Sequence, residues 1–234
     1  MRIFAISDLH LSFDMSKPMD IFGPVWHDHP QKIKDAWQSQ VREGDLVLIP
    51  GDISWSLKLE DARHDLEFIA DLPGTKVIIK GNHDYWWTSL RRVKQAMPAS
   101  IIPLQNTSLV FEDVGISGSR LWIDPDLNLE EASEKDRKIW EREITRLKLS
   151  LDDLGGGVRK RIIMSHFPPI SLDGKLSKAA RMTNDYQCDI WIFGHMHLGN
   201  NLDYNGFNRT IDSTRYVFVS ADYLDFSPVL ILDD

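Results

Sequence analysis

Five short motifs place carboxylate, amide and imidazole side chains directly after apolar runs, where they could bind metal ions. The motifs are SDLH (7–10), GD (51–52), GNHD (81–84), SH (165–166) and GHMH (194–197), and they contain most of the 8 histidines. Imidazole combined with carboxylate and amide suits Mn, Fe, Zn, Co or Ni, whereas Mg²⁺ and Ca²⁺ prefer oxygen ligands alone. The motifs therefore predict a site for a borderline divalent metal.

The spacing of the motif residues indicates more than one ion. Asp8 and His10 are two residues apart, as are His195 and His197, and such side chains point to the same side of an extended backbone. Each pair could therefore reach one ion or two adjacent ions. The motifs supply more ligands than one tetrahedral site needs. A carboxylate shared by two ions about 3.5–4 Å apart would accommodate them.

The elements that must position these motifs follow from the alternation of apolar runs and helical patterns. The pattern predicts strands over 2–7, 45–52 and 75–84, and helices over 30–43, 58–71 and 86–97. SIIPL, SLVFEDV and GISGS follow as a meander of short strands, and a charged helix is predicted over 129–151, with Asn128 and Glu131 as its cap. RIIMSH, DIWIFGH, RYVFVSAD and PVLILD complete a strand-rich second half. This order predicts an α/β fold with two packed sheets, in which ligands bind beyond the carboxyl ends of the strands.

Composition narrows the class of protein. The length of 234 residues fits one domain, 1–234, with a helical insert at about 120–157. A net charge of −8 without a basic run argues against nucleic acid as a partner. Cys188 is the only cysteine, which excludes a thiol-rich metal site and suits a reducing compartment. Neither a signal peptide nor an apolar run of about 18 residues is found, so we expect a cytoplasmic protein without a membrane partner.

The motif order resembles that of a known family. Asp-x-His, Gly-Asp, Gly-Asn-His-Asp, His and Gly-His-x-His, spread from Asp8 to His197, resemble the calcineurin-like metallophosphoesterase superfamily. A single motif such as Gly-Asp means little, whereas five in order, each after a predicted strand, are specific. The resemblance implies a four-layer α/β/β/α sandwich of two mixed β-sheets flanked by helices, with a dinuclear metal centre.

The resemblance also implies a role for each motif residue. One ion would be bound by Asp8, His10 and His197, and the other by Asn82, His166 and His195. Asp52 would bridge both ions. His83 would bind no metal but would protonate the leaving oxygen, and Asp84 would orient His83 and tune its pKa.

The implied activity is metal-dependent hydrolysis of a small-molecule phosphomonoester or phosphodiester. Two ions, manganese among the candidates, would activate a water or hydroxide for in-line attack, with His83 as general acid. One alternative is a catalytically inactive scaffold of the same fold, although no motif residue is lost here. The other is a pyrophosphatase of nucleotide-sugar lipids, a branch that carries arginine in place of His83. The physiological substrate, the native metal pair and the oligomeric state have no signature in the sequence.

Three further features have two interpretations each. Trp55, Trp86 and Trp87 follow the motifs closely and either pack in the core or form a substrate wall. The segment WHDHP (26–30) either leads into a helix or contacts substrate. Three cations on a predicted helix after HFPP either face solvent or bind a second phosphate; they are Lys175, Lys178 and Arg181.

Overall fold

The computed structural model describes residues 2–13, 17–127, 132–198 and 203–233. It divides into two compact units, one formed by Met1–Pro103 with Val219–Asp234 and the other by Leu104–Phe218. Each unit contains one mixed β-sheet with α-helices. The predicted α/β fold with two mixed sheets is thereby confirmed, whereas the single domain with an insert at about 120–157 stays a prediction.

The elements follow one another along the chain as strands and short helices. The strands are β1 (Arg2–Ala5), β2 (Leu46–Ile49), β3 (Thr75–Ile78), β4 (Ile101–Pro103), β5 (Leu109–Phe111), β6 (Val114–Ser119), β7 (Lys160–Ser165), β8 (Ile190–Phe193), β9 (Arg209–Ile211), β10 (Thr214–Phe218) and β11 (Val229–Asp233). The α-helices are α1 (His29–Gln40), α2 (Arg63–Ala70), α3 (Leu90–Ala96), α4 (Glu134–Leu154) and α5 (Lys178–Met182).

The sheet of the first unit has the order β11-β1-β2-β3-β4, in which only β11 runs antiparallel to its neighbour. All four residues of β2 are buried, as expected for a parallel strand covered on both faces. Trp37 of α1, Leu66 of α2 and Val93 of α3 belong to the same buried cluster as Val47 and Ile78 of the sheet. The helices therefore fix the sheet from which the motif loops emerge.

The helix α3 begins four residues later than its predicted start at residue 86. Ser89 is its N-cap, and the Ser89 side chain accepts a hydrogen bond from the backbone N–H of Arg92. Trp86 and Trp87 precede this cap and are buried in the core of the unit. The apolar period in this stretch thus comes partly from a packed loop, which has no helical backbone.

The sheet of the second unit has the order β5-β6-β7-β8-β10-β9, with β5 and β9 antiparallel at its two edges. The predicted meander is correct for β5 and β6 but wrong for β4, which pairs in parallel with β3 in the first unit. Short apolar runs predict strands without specifying the partner strand, because pairing depends on contacts distant in sequence.

The helix α4 packs against β6 in the second unit. A Cβ atom at Gly115 would lie 2.6 Å from a methyl carbon of Leu154, so glycine allows the helix to approach the strand closely. Ser133 caps the helix in a capping box with Asp136. The predicted cap at Asn128 and Glu131 lies outside the described residues. None of the helices in the described part of the chain combines the length and apolar character that crossing a bilayer requires.

Candidate metal centre

The loops after β1 and β2 bring three predicted ligands together in the first unit. The two loops run side by side, because the N–H of Asp8 donates to the carbonyl of Gly51 and that of His10 to the carbonyl of Asp52, both at 3.0 Å. A carboxylate oxygen of Asp8 lies within 4.8 Å of a ring nitrogen of His10 and of a carboxylate oxygen of Asp52. His10 Nε2 is 3.8 Å from Asp52 Oδ2. All three side chains are buried.

The backbone at these residues differs from the expected extended conformation. The φ angles are 57° at Asp8, 46° at His10 and 51° at Asp52, all in the left-handed region. The proximity of Asp8 and His10 is confirmed, but the predicted reason, side chains two apart in an extended strand, is wrong. Left-handed backbone is rare outside glycine and clusters at functional sites, where surrounding contacts hold it in place.

The carboxylate of Asp8 is held by two serines that the sequence interpretation missed. Ser7 Oγ and Ser220 Oγ both donate to Asp8 Oδ2, the latter at 2.9 Å. Ser220 follows β10, so it is a polar residue at a strand end like the motif residues. Ser220 lies in the predicted strand RYVFVSAD, but the sequence does not indicate that its hydroxyl donates to Asp8.

The loop after β3 packs directly against Asp52. The backbone N–H of His83 donates to Asp52 Oδ1 at 2.8 Å. A Cβ atom at Gly81 would lie 2.1 Å from that same oxygen and 2.2 Å from the Asp52 nitrogen, so no other residue fits at position 81. Asn82 lies between these two residues and is half-buried. The GNHD motif thus fixes the backbone of His83 to the carboxylate predicted to bridge two ions.

Asp84 accepts hydrogen bonds from the backbone of two loops, the one after β2 and the one after β3. Its fully buried carboxylate accepts five hydrogen bonds of 2.7–3.2 Å, from the backbone N–H groups of Asp52, Ile53, Ser54 and Gly81 and from the indole N–H of Trp86. Burial, and secondarily the nearby charge of Asp52, raises the pKa of Asp84 to about 6. Asp84 therefore fixes the loop of Asp52 against the loop of His83, while its predicted effect on the His83 ring stays a prediction.

Aromatic rings surround the two motif histidines of this unit, His10 and His83. The Trp55 ring stacks on His10 with centroids 4.8 Å apart and lies 4.3 Å from His83. Trp26 meets His10 edge-on at 5.8 Å. Trp86 and Trp87 are buried in the core, which favours packing as their role, whereas Trp55 lies against the predicted site.

The WHDHP segment leads into α1. His29 is its first residue, and Nδ1 of its buried ring is 3.1 Å from the carbonyl oxygen of Trp26. Burial lowers the pKa of His29. His27 and Asp28 are exposed and lie beside each other. These contacts favour a structural role for the segment.

The second unit brings His166 and His195 together. They follow the adjacent parallel strands β7 and β8, and their rings are 5.1 Å apart. The N–H of His166 donates to the carbonyl of Arg120, and the His166 carbonyl accepts from Gly194, both at 3.1 Å. The ring of Phe167 covers that of His195 at 3.9 Å. His166 is thus fixed on both sides of its backbone.

His197 lies in the same loop as His195, and its carbonyl accepts a hydrogen bond from the Tyr204 hydroxyl at 3.1 Å. The φ angle of His195 is 77°, so the extended backbone expected between the two histidines is again wrong. The assembly of all seven predicted ligands into one centre stays a prediction.

The three cations after HFPP are paired within the second unit. Lys178 Nζ forms an ion pair with Glu141 at 2.9 Å, and Arg181 approaches Asp126 at 3.8 Å. Lys175 donates to the backbone carbonyl of Asp126. These pairings favour the solvent-facing interpretation over a second phosphate site.

Comparison with known families agrees with the motif order. Residues 1–199 match the family model of the calcineurin-like phosphoesterases, a span that contains every motif residue. The chain belongs to this family. Family members use divalent metals, and the membership supports a phosphoesterase activity. The predicted superfamily is therefore confirmed.

Two solved structures share the fold of this chain. Phosphopantetheinyl hydrolase (PptH) from Mycobacterium tuberculosis aligns with a TM-score of 0.57 at 13% identity, over 100% of this chain and 96% of that one. AQ665 from Aquifex aeolicus, a protein of unknown function, aligns with a TM-score of 0.54 at 15% identity, over 98% and 95%. At these identities the likeness shows the fold alone.

Two curated relatives match a shorter stretch. The Gene 66 proteins of Mycobacterium phages L5 and D29 are 37% identical over 78 residues and 34% identical over 84 residues. These alignments cover 33% and 36% of this chain, and 37% and 40% of the phage proteins. The chain thus spans less than half of the length of the curated relatives it matches.

Proposed function

We propose that the chain is a metal-dependent phosphohydrolase of phosphomonoesters or phosphodiesters, with two divalent ions and His83 as general acid. The observation that carries the proposal is the buried group of Asp8, His10 and Asp52, whose donor atoms lie within 4.8 Å of Asp8. A small-molecule phosphate ester is the proposed partner. The scaffold and pyrophosphatase alternatives have no better support.

The residues of the first unit fit a divalent cation. Two buried carboxylates whose oxygens approach within 4.8 Å repel each other in a low-dielectric interior unless a cation or proton lies nearby. The adjacent imidazole of His10 supplies the nitrogen ligand that borderline metals accept. The proposed ligand set is Asp8, His10, Asp52, Asn82, His166, His195 and His197. When bound, such ions would acidify a water molecule and neutralise charge on the phosphoryl oxygens.

The surroundings of His83 support its proposed role as the general acid. Its backbone is fixed to Asp52, its ring rests on Trp55 at 4.3 Å, and the side chain is half-buried. As the bond between phosphorus and the leaving oxygen breaks, the imidazolium would donate its proton to that oxygen and take another from solvent afterwards. Asp84 contributes by holding the two loops that carry Asp52 and His83 in register.

The decisive experiment measures hydrolysis before and after metal removal. We expect chelation to abolish hydrolysis of 4-nitrophenyl phosphate or bis(4-nitrophenyl) phosphate, and Mn²⁺ to restore it. His83→Ala should keep the metal content of the wild type and lose about 10²–10⁴-fold in kcat on phenyl phosphate. The loss should be smaller on 4-nitrophenyl phosphate, because its leaving group needs less protonation.

His64→Ala, which changes an exposed histidine of α2, is the matched control and should behave as wild type. A metal-loaded wild type that hydrolyses none of these esters would refute the proposed function. Equal turnover of phenyl phosphate by wild type and His83→Ala would refute only the role of His83 as general acid and would leave the proposed phosphohydrolase function standing.

A further inference from the structure

Trp55 and Tyr85 contact the His83 ring in the first unit, and Phe22 contacts Trp55; the side chains of Phe22, Trp55 and Tyr85 are called here the aromatic rim. Tyr85 lies 6.1 Å from the His83 ring, and Phe22 stacks on Trp55 at 6.4 Å. Phe22 and Tyr85 are each more than half exposed, at 54% and 56%. Large aromatic side chains left open beside a site are typical of a surface that contacts a ligand.

The ammonium group of Lys17 lies on this rim. Its Nζ atom is 3.3 Å from the centroid of the Trp55 ring and 5.2 Å from that of Phe22. The backbone N–H of Lys17 donates to Ser12 Oγ at 3.1 Å. A cation between two aromatic faces is attracted by both rings and is restricted in its motion.

The contacts of Trp55 determine whether its ring can stack on a substrate. His10 stacks on the Trp55 ring, Lys17 sits over its centre, and only 9% of the residue is exposed. The ring faces are therefore already covered and cannot stack on a base or sugar. The rim instead presents the positive charge of Lys17. Lys17 contacts the Trp55 ring, which in turn contacts the His83 ring.

The ammonium retains hydrogen-bonding capacity at this position. An aromatic ring attracts the charge of Lys17 but accepts no conventional hydrogen bond from its three N–H donors. Among the residues that the structure describes, no carboxylate forms an ion pair with Lys17. An anionic oxygen reaching this point would gain a charge-assisted hydrogen bond.

We infer that Lys17 and the aromatic rim form a subsite for a second anionic group of the substrate. This inference rests on the proposed function and narrows its substrate class to phosphate esters that carry a further phosphate or carboxylate near the scissile group. Phe22 and Tyr85 would contact the carbon skeleton that joins the two groups. Lys17 acts in binding, while the proton transfer belongs to His83.

The test compares pairs of esters that differ in the second anion. Fructose 6-phosphate is paired with fructose 1,6-bisphosphate, and glycerol 2-phosphate with 2-phosphoglycerate, which separates a second phosphate from a carboxylate. Wild type should show higher kcat/KM on the member with two anions. Lys17→Met should lower that selectivity ratio at least tenfold, and Lys17→Arg should retain most of it.

Lys32→Met is the matched control, because the Lys32 ammonium also lies over a ring, that of Phe226, at 5.3 Å. Its selectivity ratio should equal that of the wild type. A ratio that is unchanged in Lys17→Met would overturn the inference. Calorimetry gives the Kd values of the same compounds for metal-loaded wild type and Lys17→Met. This measurement tests the subsite even if no compound is hydrolysed, since equal Kd values in both proteins exclude it.

Discussion

At the scale of single residues, the motifs predicted which polar side chains follow the strands but not the contacts that hold them. GNHD predicted a cluster beside the proposed metal ligands, and Asn82, His83 and Asp84 do follow the third strand of the first unit. Asp84 accepts four backbone N–H groups and one indole N–H. Backbone donors are the same in every residue type, so this network has no signature in the sequence. The network could be recognised only in the folded structure, where the loops after β2 and β3 lie side by side.

Asp84→Asn tests that network. The amide replaces one acceptor oxygen with an NH₂ donor that must face backbone N–H groups, leaving at least two of them without a partner. Each buried donor left unpaired costs about 1–3 kcal/mol. We expect the free energy of unfolding to fall by about 2–5 kcal/mol in urea titrations. The near-ultraviolet circular dichroism should change as well, because the Trp86 indole donates to the side chain that is replaced.

Asp20→Asn is the control for this substitution, since Asp20 is exposed in the same unit. It should leave both the unfolding midpoint and the dichroism unchanged. An Asp84→Asn protein as stable as the wild type would show that the network tolerates an amide and that Asp84 does not hold the loops.

At the scale of elements, the strands were easier to predict than the helix ends. The stretch TKVIIK predicted a strand, and β3 forms there, but Lys76 within it has a role that periodicity does not indicate. Lys76 is fully buried, and its ammonium donates to the carbonyls of Ala70 at 3.2 Å, Leu72 at 2.5 Å and Gly74 at 2.8 Å. A lysine of the strand thus satisfies carbonyls at the end of α2 and in the connection that follows.

Lys76→Met should be strongly destabilising although methionine is apolar and of similar length. Three carbonyl groups lose their donor, and leaving a buried acceptor unpaired costs about 1–3 kcal/mol. We expect a loss of about 2–4 kcal/mol in the free energy of unfolding, because removal of the buried charge of Lys76 offsets part of that cost. Lys34→Met, on the exposed face of α1, is the matched control and should change stability by less than about 0.5 kcal/mol.

The pH dependence gives a second check on Lys76. Burial lowers its pKa from 10.5 to about 8, so between these values the unfolded chain binds the proton more strongly than the folded chain does. The free energy of unfolding therefore rises with pH in this window, because deprotonation relieves the cost of a buried charge. The stability difference between wild type and Lys76→Met should grow from pH 8 to pH 10. A difference that shrinks would contradict the lowered pKa.

At the scale of the whole molecule, the sequence predicted the order of elements and the fold class, whereas the assignment of strands to sheets needed the structure. β4 was predicted within a meander, yet its partner is β3. The motif residues do follow strands as predicted, because each comes after a recognisable apolar run. The conformation that brings Asp8 and His10 together was not predicted, because left-handed backbone at aspartate and histidine depends on contacts with the neighbouring loop.

The proposed metal site should govern the thermal stability of the whole chain. Ions that bind only the folded protein stabilise it by about 2.7 kcal/mol at a concentration of 100 times Kd. For a chain of this size that corresponds to a rise in Tm of about 5–10 °C on adding Mn²⁺ to chelator-treated protein. Scanning calorimetry measures this shift independently of any enzymatic activity.

Asp52→Asn should raise the Tm of the metal-free protein and reduce the rise in Tm that Mn²⁺ causes. Without metal, the variant should melt above the metal-free wild type, because it removes one charge from buried carboxylates while its amide oxygen can still accept from the His83 N–H. With Mn²⁺ its rise in Tm should be less than half that of the wild type, because the proposed bridging ligand is weakened. A full Mn²⁺ shift in Asp52→Asn would exclude Asp52 as a ligand. A lower Tm of the metal-free variant would show instead that the buried carboxylates are neutralised without a metal, since the repulsion that the substitution relieves would then be absent.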